Sequence, residues 1–408
     1  MGYKSAIALK TSGLIDVFLK NIGTNFRSEV LNILSLSSVD DLPNLEIVCP
    51  EMVPSDPKDI SIISRILDSY NAAKKYQKEA PSVFLPSSLW QNQLDSAYES
   101  LYGGDIEKAS FFLSNFGAWP KYTGIENTRM ILDLNVSHAS RRQLQRMIGK
   151  MVNWWQNHES QGRTIEALSY PRFGNQYGAT LEGKFIGVGS VFNDVHSNVI
   201  SNVIMDMVGS DRPKIAEIGG GYGKLFYFIS RKIKDFTYLN FDLPETICCS
   251  SYYLMKAFPD KKFLLFGEET LNAHSLSKYD FILLPSFCIE ALPSNSIDIF
   301  LNKNSLGEMA AQTTRKFIAE IERTTNWFWH INHEIMRNHY EDSSSSLLNR
   351  EYELSKDKFC RIIRYLDVGH ATYQGSFDPK SECYCYLYAR RKNMQLSHRK
   401  DSLLNGFD

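Results

Sequence analysis

Apolar positions in the first part of the chain recur at steps of three and four. Ile63, Ile66, Leu67, Tyr70 and Ala73 follow that rule, as do Leu144, Met147, Ile148, Met151 and Trp155. Such spacing puts apolar side chains on one buried helical face. Between these runs, Pro86-Ser87-Ser88 reads as a helix start before Leu89 to Tyr102, and Gly103-Gly104 reads as its stop. Residues 1–165 are therefore expected to be mostly helical, with no catalytic motif of their own. The pattern then changes. The segment YPRFGNQYGATLEGKFIGVGS, from Tyr170, is rich in glycine and aromatics and has no helical period. It reads either as a connecting loop with a short hairpin or as a substrate-facing segment, since long loops with aromatic and amide groups often carry binding. A helix is expected from Asp194, with Val195, Val199, Val203 and Met207 on one side.

From Lys214 the chain alternates strand and helix. Lys214–Ile218 is a short apolar strand, Lys224–Lys232 a helix, and Tyr238–Phe241 a second strand stopped by Asp242-Leu243-Pro244. Phe263–Phe266 and Phe281–Leu284 both compete for the third position. Ile297–Leu301 reads as the fourth strand and Trp327–Ile331 as the fifth. The alternation predicts an α/β fold with a mostly parallel sheet covered on both faces. Phe359–Leu366 and Cys383–Ala389 have no good helix between them, so they are expected to pair antiparallel at the sheet edge. The catalytic domain is placed at residues 166–408, with 166–210 as its substrate-facing part.

Composition narrows the function classes. A formal charge of −1 over 408 residues gives no overall basic field, which argues against nucleic acid or an anionic membrane as a partner of the whole surface. A basic run at Arg390, Arg391, Lys392, Arg399 and Lys400 reads as a solvated tail. No stretch reaches the ~18 apolar residues that span a bilayer, and the N-terminal apolar run is broken by Lys10 and Asp16, unlike a secretory signal. The seven cysteines form no CxxC pair. They suit a reducing cytoplasm and give no zinc site, which leaves the sequon at Asn135 without a role. A homo-oligomer stays open.

Three segments carry chemistry. The first is Glu217-Ile-Gly219-Gly220-Gly221-Tyr-Gly223, between a strand and a helix. Glycines at alternate positions let the backbone turn sharply and approach a ligand without a Cβ in the way, and the helix N-terminus suits a carboxylate. Glu217 would meet a ligand's ammonium. The dinucleotide spacing GxGxxG requires glycine at 224 or 226, where Lys224 and Phe226 stand. The second is Asp242, after the second strand, where an acid accepts hydrogen bonds from ribose hydroxyls. The third is Asp298-Ile-Phe-Leu-Asn302-Lys-Asn304-Ser305-Leu-Gly-Glu308-Met309, which delivers polar groups to the carboxyl end of the fourth strand, where ligands of open α/β sheets lie.

EIGGGYG, FDLPET and IDIFLNKNSLGEM together resemble the sugar O-methyltransferase family of bacterial surface-polysaccharide clusters, within the class I S-adenosylmethionine-dependent methyltransferases. FDLP is also similar to small-molecule O-methyltransferases. The resemblance covers residues 170–335. It implies a Rossmann-like sheet, S-adenosylmethionine as cofactor, and a sugar or glycan acceptor. Cofactor contacts are expected from Glu217, Gly219, Gly220, Gly221, Gly223, Asp242, Leu243, Pro285, Ser286 and Asn302. Acceptor contacts are expected from Asn175, Tyr177, Asn304, Ser305 and His333, with the N-terminal region on the acceptor side or in assembly. Small-molecule relatives often carry a catalytic His after the fourth strand; here Gly307-Glu308 stand near its place. Glu308 is favoured as the base, with His196, His330 and His333 as alternatives. No metal ligand set is recognisable. The competing readings are a nucleotide-sugar oxidoreductase or epimerase and a non-sugar O-methyltransferase.

Overall fold

The computed structural model describes residues 42, 44–121, 123–125, 138–367 and 383–393. Lys10, Asp16, the sequon at Asn135 and the pair Arg399 and Lys400 lie outside the described residues.

Among the described residues, a short strand, β1 (Glu46–Val48), precedes four helices: α1 (Ile60–Gln77), α2 (Ser88–Ala97), α3 (Ile106–Asn115) and α4 (His138–His158). The helical spacing read from sequence is the buried face of α1 (Ile63, Ile66, Leu67, Tyr70, Ala73) and of α4 (Leu144, Ile148, Met151, Trp155), with Met147 half-buried. The helix expected over Leu89 to Tyr102 is shorter than that. It stops at Ala97, and a 3-10 turn through Gly104 leads to Asp105. Asp105 caps α3 by accepting from the backbone N–H groups of Glu107 and Lys108.

The aromatic and glycine-rich segment contains a hairpin, β2 (Gly178–Leu181) and β3 (Lys184–Gly187). Its two-residue turn, Glu182-Gly183, has φ of 51° and 72°, the conformation that matches the twist of paired strands. β1 pairs with β2, so residues 46–48 join this small sheet. Helix α5 (Ser190–Asn202) follows. It begins earlier than Asp194 and buries a different face from the one expected. Asn193, Asp194, His196, Ser197 and Ile200 point inward; of the expected row, Val195 and Val199 are half-buried, and past the end of α5 Val203 is buried while Met207 is 48% exposed. The reason is electrostatic. Asp194 accepts from Arg163 Nη1 at 2.6 Å and from Trp155 Nε1 at 2.7 Å, so the polar side has partners inside.

The main sheet is built from β4 (Lys214–Ile218), α6 (Lys224–Ser230), β5 (Thr237–Asp242), α7 (Pro244–Ala257), β6 (Phe263–Leu265), α8 (Ala273–Lys278), β7 (Phe281–Pro285), β8 (Ile297–Lys303), α9 (Ala311–Thr324), β9 (Thr325–His333), β10 (Phe359–Leu366) and β11 (Cys383–Arg390). Its spatial order is β10-β11-β9-β8-β4-β5-β7-β6. The pairings from β6 to β9 are parallel, and β11 runs antiparallel between β9 and β10. This is the mostly parallel, Rossmann-like α/β sheet that the alternation of strands and helices predicts. The third position goes to β7, and β6 lies outside it. The C-terminal strands pair antiparallel as expected, and the last of them slots inside the edge. Arg390 and Arg391 are anchored on backbone carbonyls of Thr325 and Lys356, so this part of the basic run is not a loose tail.

Helices α1 to α3 have no core of their own. Ile63, Tyr70, Leu94 and Phe112 belong to one apolar cluster with Phe226, Tyr253 and Leu254 from α6 and α7. Phe84 joins the cluster on the other sheet face with Phe241, Phe300 and Phe317. The cysteines of the described residues are free. None of the described helices is long and apolar enough to cross a membrane.

Candidate functional site

The site forms where β4, β5 and β8 end side by side. Gly219, Gly221 and Gly223 have φ of 67°, 56° and 87°, a region that side chains disfavour. β5 pins the turn: Gly219 N donates to Phe241 O at 2.9 Å, Gly220 N to Asn240 Oδ1 at 3.1 Å, and Gly221 N to Asp242 Oδ2 at 3.0 Å. Gly223 N donates back to Gly220 O. The N–H groups of these four glycines are therefore already used within the protein.

The glycines differ in what they leave room for. A Cβ at Gly219 would lie 2.2 Å from Ser305 Oγ, and one at Gly223 would lie 2.8 Å from Leu254. At Gly221 the nearest atom among the described residues is Ile125 Cγ2 at 3.6 Å. Gly221 thus faces open space, while Gly223 serves packing and backbone conformation at the start of α6.

That space is part of two adjoining cavities, of about 350 and 440 Å³. Trp90, Gly219, Asp242, Ser305 and Glu308 line both. The smaller is largely apolar and runs past Phe241, Leu243, Ser286 and Met309 to Phe317. The larger is polar and holds Glu217, Gly220, Gly221, Lys224, Lys303 and Asn304.

Three carboxyls lining these cavities are held above the ordinary range. Burial pushes Glu217 up to about 7, against Tyr238 Oη, which donates to it at 2.6 Å. Burial also pushes Asp242 up to about 7, opposed by the backbone N–H groups of Leu243 and Gly221. Burial raises Glu308 to about 7, and Trp90 Nε1, donating at 3.2 Å, holds it down.

Several expected residues lie outside both cavities. His196 is 2% exposed, and its Nε2 stands 2.7 Å from Asp367 Oδ1, so it is a paired core histidine and not a base. Asn302 is fully buried. It donates to Ile218 O, bonds Ser305 Oγ and accepts from Asn332, tying β4, β8 and β9 together. Asn175 binds Glu51 O, Asn115 and Arg172, and Tyr177 packs in the core beneath α4. Pro285 is buried against α1 and α7. His333 sits beside Cys383 and Gly307, and burial among Phe328, Tyr386 and Tyr388 pushes His330 down to about 3. Among the described residues, no cluster of His, Cys, Asp or Glu could hold a metal.

The sequence reading missed Trp90, Asn240, Ile125 and Lys303. Lys303 was within reach, because a lysine at the carboxyl end of a buried strand is unusual. Trp90 had no local signal; it belongs to the site only because the start of α2 lies against the turn after β8.

No protein-family model matches the chain, and no curated protein matches it in sequence. Among solved structures, the mitomycin 7-O-methyltransferase MmcR is similar over 49% of this chain and 56% of its own, at 13% identity and a TM-score of 0.31. A SAM-dependent methyltransferase from Aquifex aeolicus is similar over 48% of this chain and 97% of its own, at 13% identity and a TM-score of 0.29. The glycopeptide N-methyltransferase MtfA, complexed with sinefungin, is similar over 48% and 86%, at 10% identity and a TM-score of 0.32. Each likeness spans about half of this chain and carries neither acceptor nor chemistry over to it.

Proposed function

We propose that this chain is an S-adenosylmethionine-dependent O-methyltransferase acting in the cytoplasm on a sugar or glycan hydroxyl. The observation that carries the reading is the pinned glycine turn. Its Gly221 opens onto cavity space between Glu217 and Asp242, which stand on the ends of adjacent parallel strands. A Cβ at Gly221 would enter the space a ligand needs, and the two acids suit an ammonium and a ribose diol. The apolar cavity past Leu243, Ser286 and Phe317 suits a purine ring. When bound, the cofactor would supply an electrophilic methyl on sulfur.

The residues of this chain supply the rest. Glu308 lies between the cavities and, held near 7, is poised to take a proton from an acceptor hydroxyl at its carboxylate oxygen. Asn304 and Ser305 offer polar contacts beside it. The segment Ser82–Ser88 walls the cavity that suits the purine, and Trp90 lines both cavities, so the N-terminal region borders the ligand space. The sugar class rests on the motif resemblance and on the polar contacts offered by Asn304 and Ser305.

The test is calorimetry with S-adenosylmethionine against NAD, followed by labelled methyl transfer to a panel of monosaccharides, nucleotide sugars and non-sugar phenols. Micromolar binding of S-adenosylmethionine, roughly −8 kcal/mol, with label appearing on a sugar oxygen is the expected result. Binding of NAD alone would sink the cofactor assignment, and label on phenols alone would sink the sugar assignment.

A further inference from the structure

Two lysines enter the larger cavity from different elements. Lys303 closes β8 and Lys224 opens α6. Lys303 Nζ donates to Asn193 Oδ1 at 3.2 Å, and Asn193 is itself anchored by its Nδ2 on Gly189 O at 2.9 Å. Among the described residues, no carboxylate stands within ion-pair distance of Lys303. Lys224 Nζ donates to Val188 O at 2.8 Å and lies 5.0 Å from the Tyr170 ring centroid. Burial, and then the charge of Lys224, push the Lys303 ammonium down to about 8, while Asp367 and Glu217 act the other way. A half-buried ammonium without a carboxylate partner is costly. An anion placed in the cavity would remove that cost. The glycine turn cannot hold such an anion through Gly219, Gly220, Gly221 or Gly223, because those N–H groups have partners.

We propose that Lys303, together with Lys224 and Asn193, forms an anion subsite in this cavity that takes a carboxylate or phosphate group of a bound ligand. An ammonium is a compact charge with three donors. Asn193 takes one donor of Lys303, and the others remain for ligand oxygens. Glu217 and Lys303 stand on neighbouring strands, β4 and β8, and face the same space. A ligand with separate positive and negative groups satisfies both. The anion has two sources: the amino-acid end of the cofactor, or an acidic group on the acceptor. Only the first source rests on the function proposed above.

Lys303→Met keeps the aliphatic stem and removes the charge. The experiment measures, by calorimetry, binding of S-adenosylhomocysteine and of its decarboxylated analogue. It then measures inorganic pyrophosphate and glucuronate binding to the S-adenosylhomocysteine-loaded protein. If wild type prefers the carboxylated nucleoside by tenfold or more and Lys303→Met loses that preference, the subsite takes the cofactor's carboxylate. If the preference survives but Lys303→Met loses pyrophosphate or glucuronate, the subsite belongs to the acceptor. If Lys303→Met changes neither, the proposal is overturned. Should wild type bind no S-adenosylhomocysteine yet bind pyrophosphate in a Lys303-dependent way, the cofactor reading fails and the anion subsite stands. Circular dichroism monitors folding. Lys303→Gln and Lys224→Met provide independent variants, and wild-type anion binding in both would also overturn the proposal.

Discussion

Trp90 Nε1 donates to Glu308 Oε2 at 3.2 Å, joining a helix from the first hundred residues to the turn after β8. Both side chains line both cavities. The indole is wedged on its other side by Gly124, where a Cβ would lie 1.9 Å from the Trp90 ring. The bond fixes the carboxylate at the boundary and stabilises its ionised form, opposing the burial that pushes it up to about 7.

A base held near 7 gives a pH profile with a definite sign. Methyl transfer should rise with pH through about 7, as Glu308 loses its proton. Glu308→Gln should keep cofactor affinity and lower turnover by ~10²-fold or more. The loss should shrink at higher pH, where hydroxide partly replaces the base. Trp90→Phe removes the donor and should move the rising limb of kcat/KM to higher pH. Superimposable profiles for wild type and Trp90→Phe would show that the bond does not act on the base.

Stability without ligand should fall as pH rises. Glu217, Asp242 and Glu308 are each raised to about 7. A carboxyl raised on folding contributes stability that is present below its unfolded value and lost as pH passes through the folded value. The melting temperature of the unliganded protein is therefore expected to drop between about pH 5 and pH 8. Glu308→Gln should raise it by about 2 °C or more at the upper end and change it little at the lower. A cationic ligand favours the ionised acids, so its binding near neutrality should release protons. Calorimetry in buffers of different ionisation enthalpy measures that release, and net proton uptake would contradict the assignment.

Gly221 and Gly223 should separate ligand space from packing. Gly221→Val places a branched side chain where, among the described residues, only Ile125 lies within 4 Å, so nucleoside binding should be abolished. Gly223→Ala meets Leu254 at 2.8 Å at a φ of 87°, so its main effect should be a lowered melting temperature. The paired readout is thermal denaturation plus calorimetry. Unchanged nucleoside affinity in a folded Gly221→Val protein would remove the central claim.

Asp242→Ala should weaken cofactor binding by about 1.5–3 kcal/mol through lost charge-assisted bonds. The same change frees Gly221 N, so some loosening of the turn is expected with it. Its effect should fall on KM for the cofactor much more than on kcat. An unaltered affinity would mean that the ribose is held elsewhere.

The sheet was legible in the chain because its signals are local. Each strand is a short apolar run that ends in glycine, proline or a polar cluster, and alternation with helices leaves few topologies. The place of the glycine turn, Glu217, Asp242 and Ser305 followed from strand ends alone, because parallel strands deliver their carboxyl ends to one edge. The helical periods of α1 and α4 likewise gave their buried faces. Spatial neighbours across the sequence were not legible. His196 and Asn302 had suitable chemistry and nearly suitable positions, yet Asp367 and Asn332, from distant strands, turned them into structural groups. The inward polar face of α5 depended on Arg163 and Trp155, which no periodicity in α5 reports. Trp90 reached Glu308 only because the start of α2 lies against the turn after β8. Local pattern determines which face of an element is apolar and where a strand ends. Which buried polar groups have partners, and which face a cavity, depends on contacts between residues far apart in sequence, and only the tertiary structure decides those.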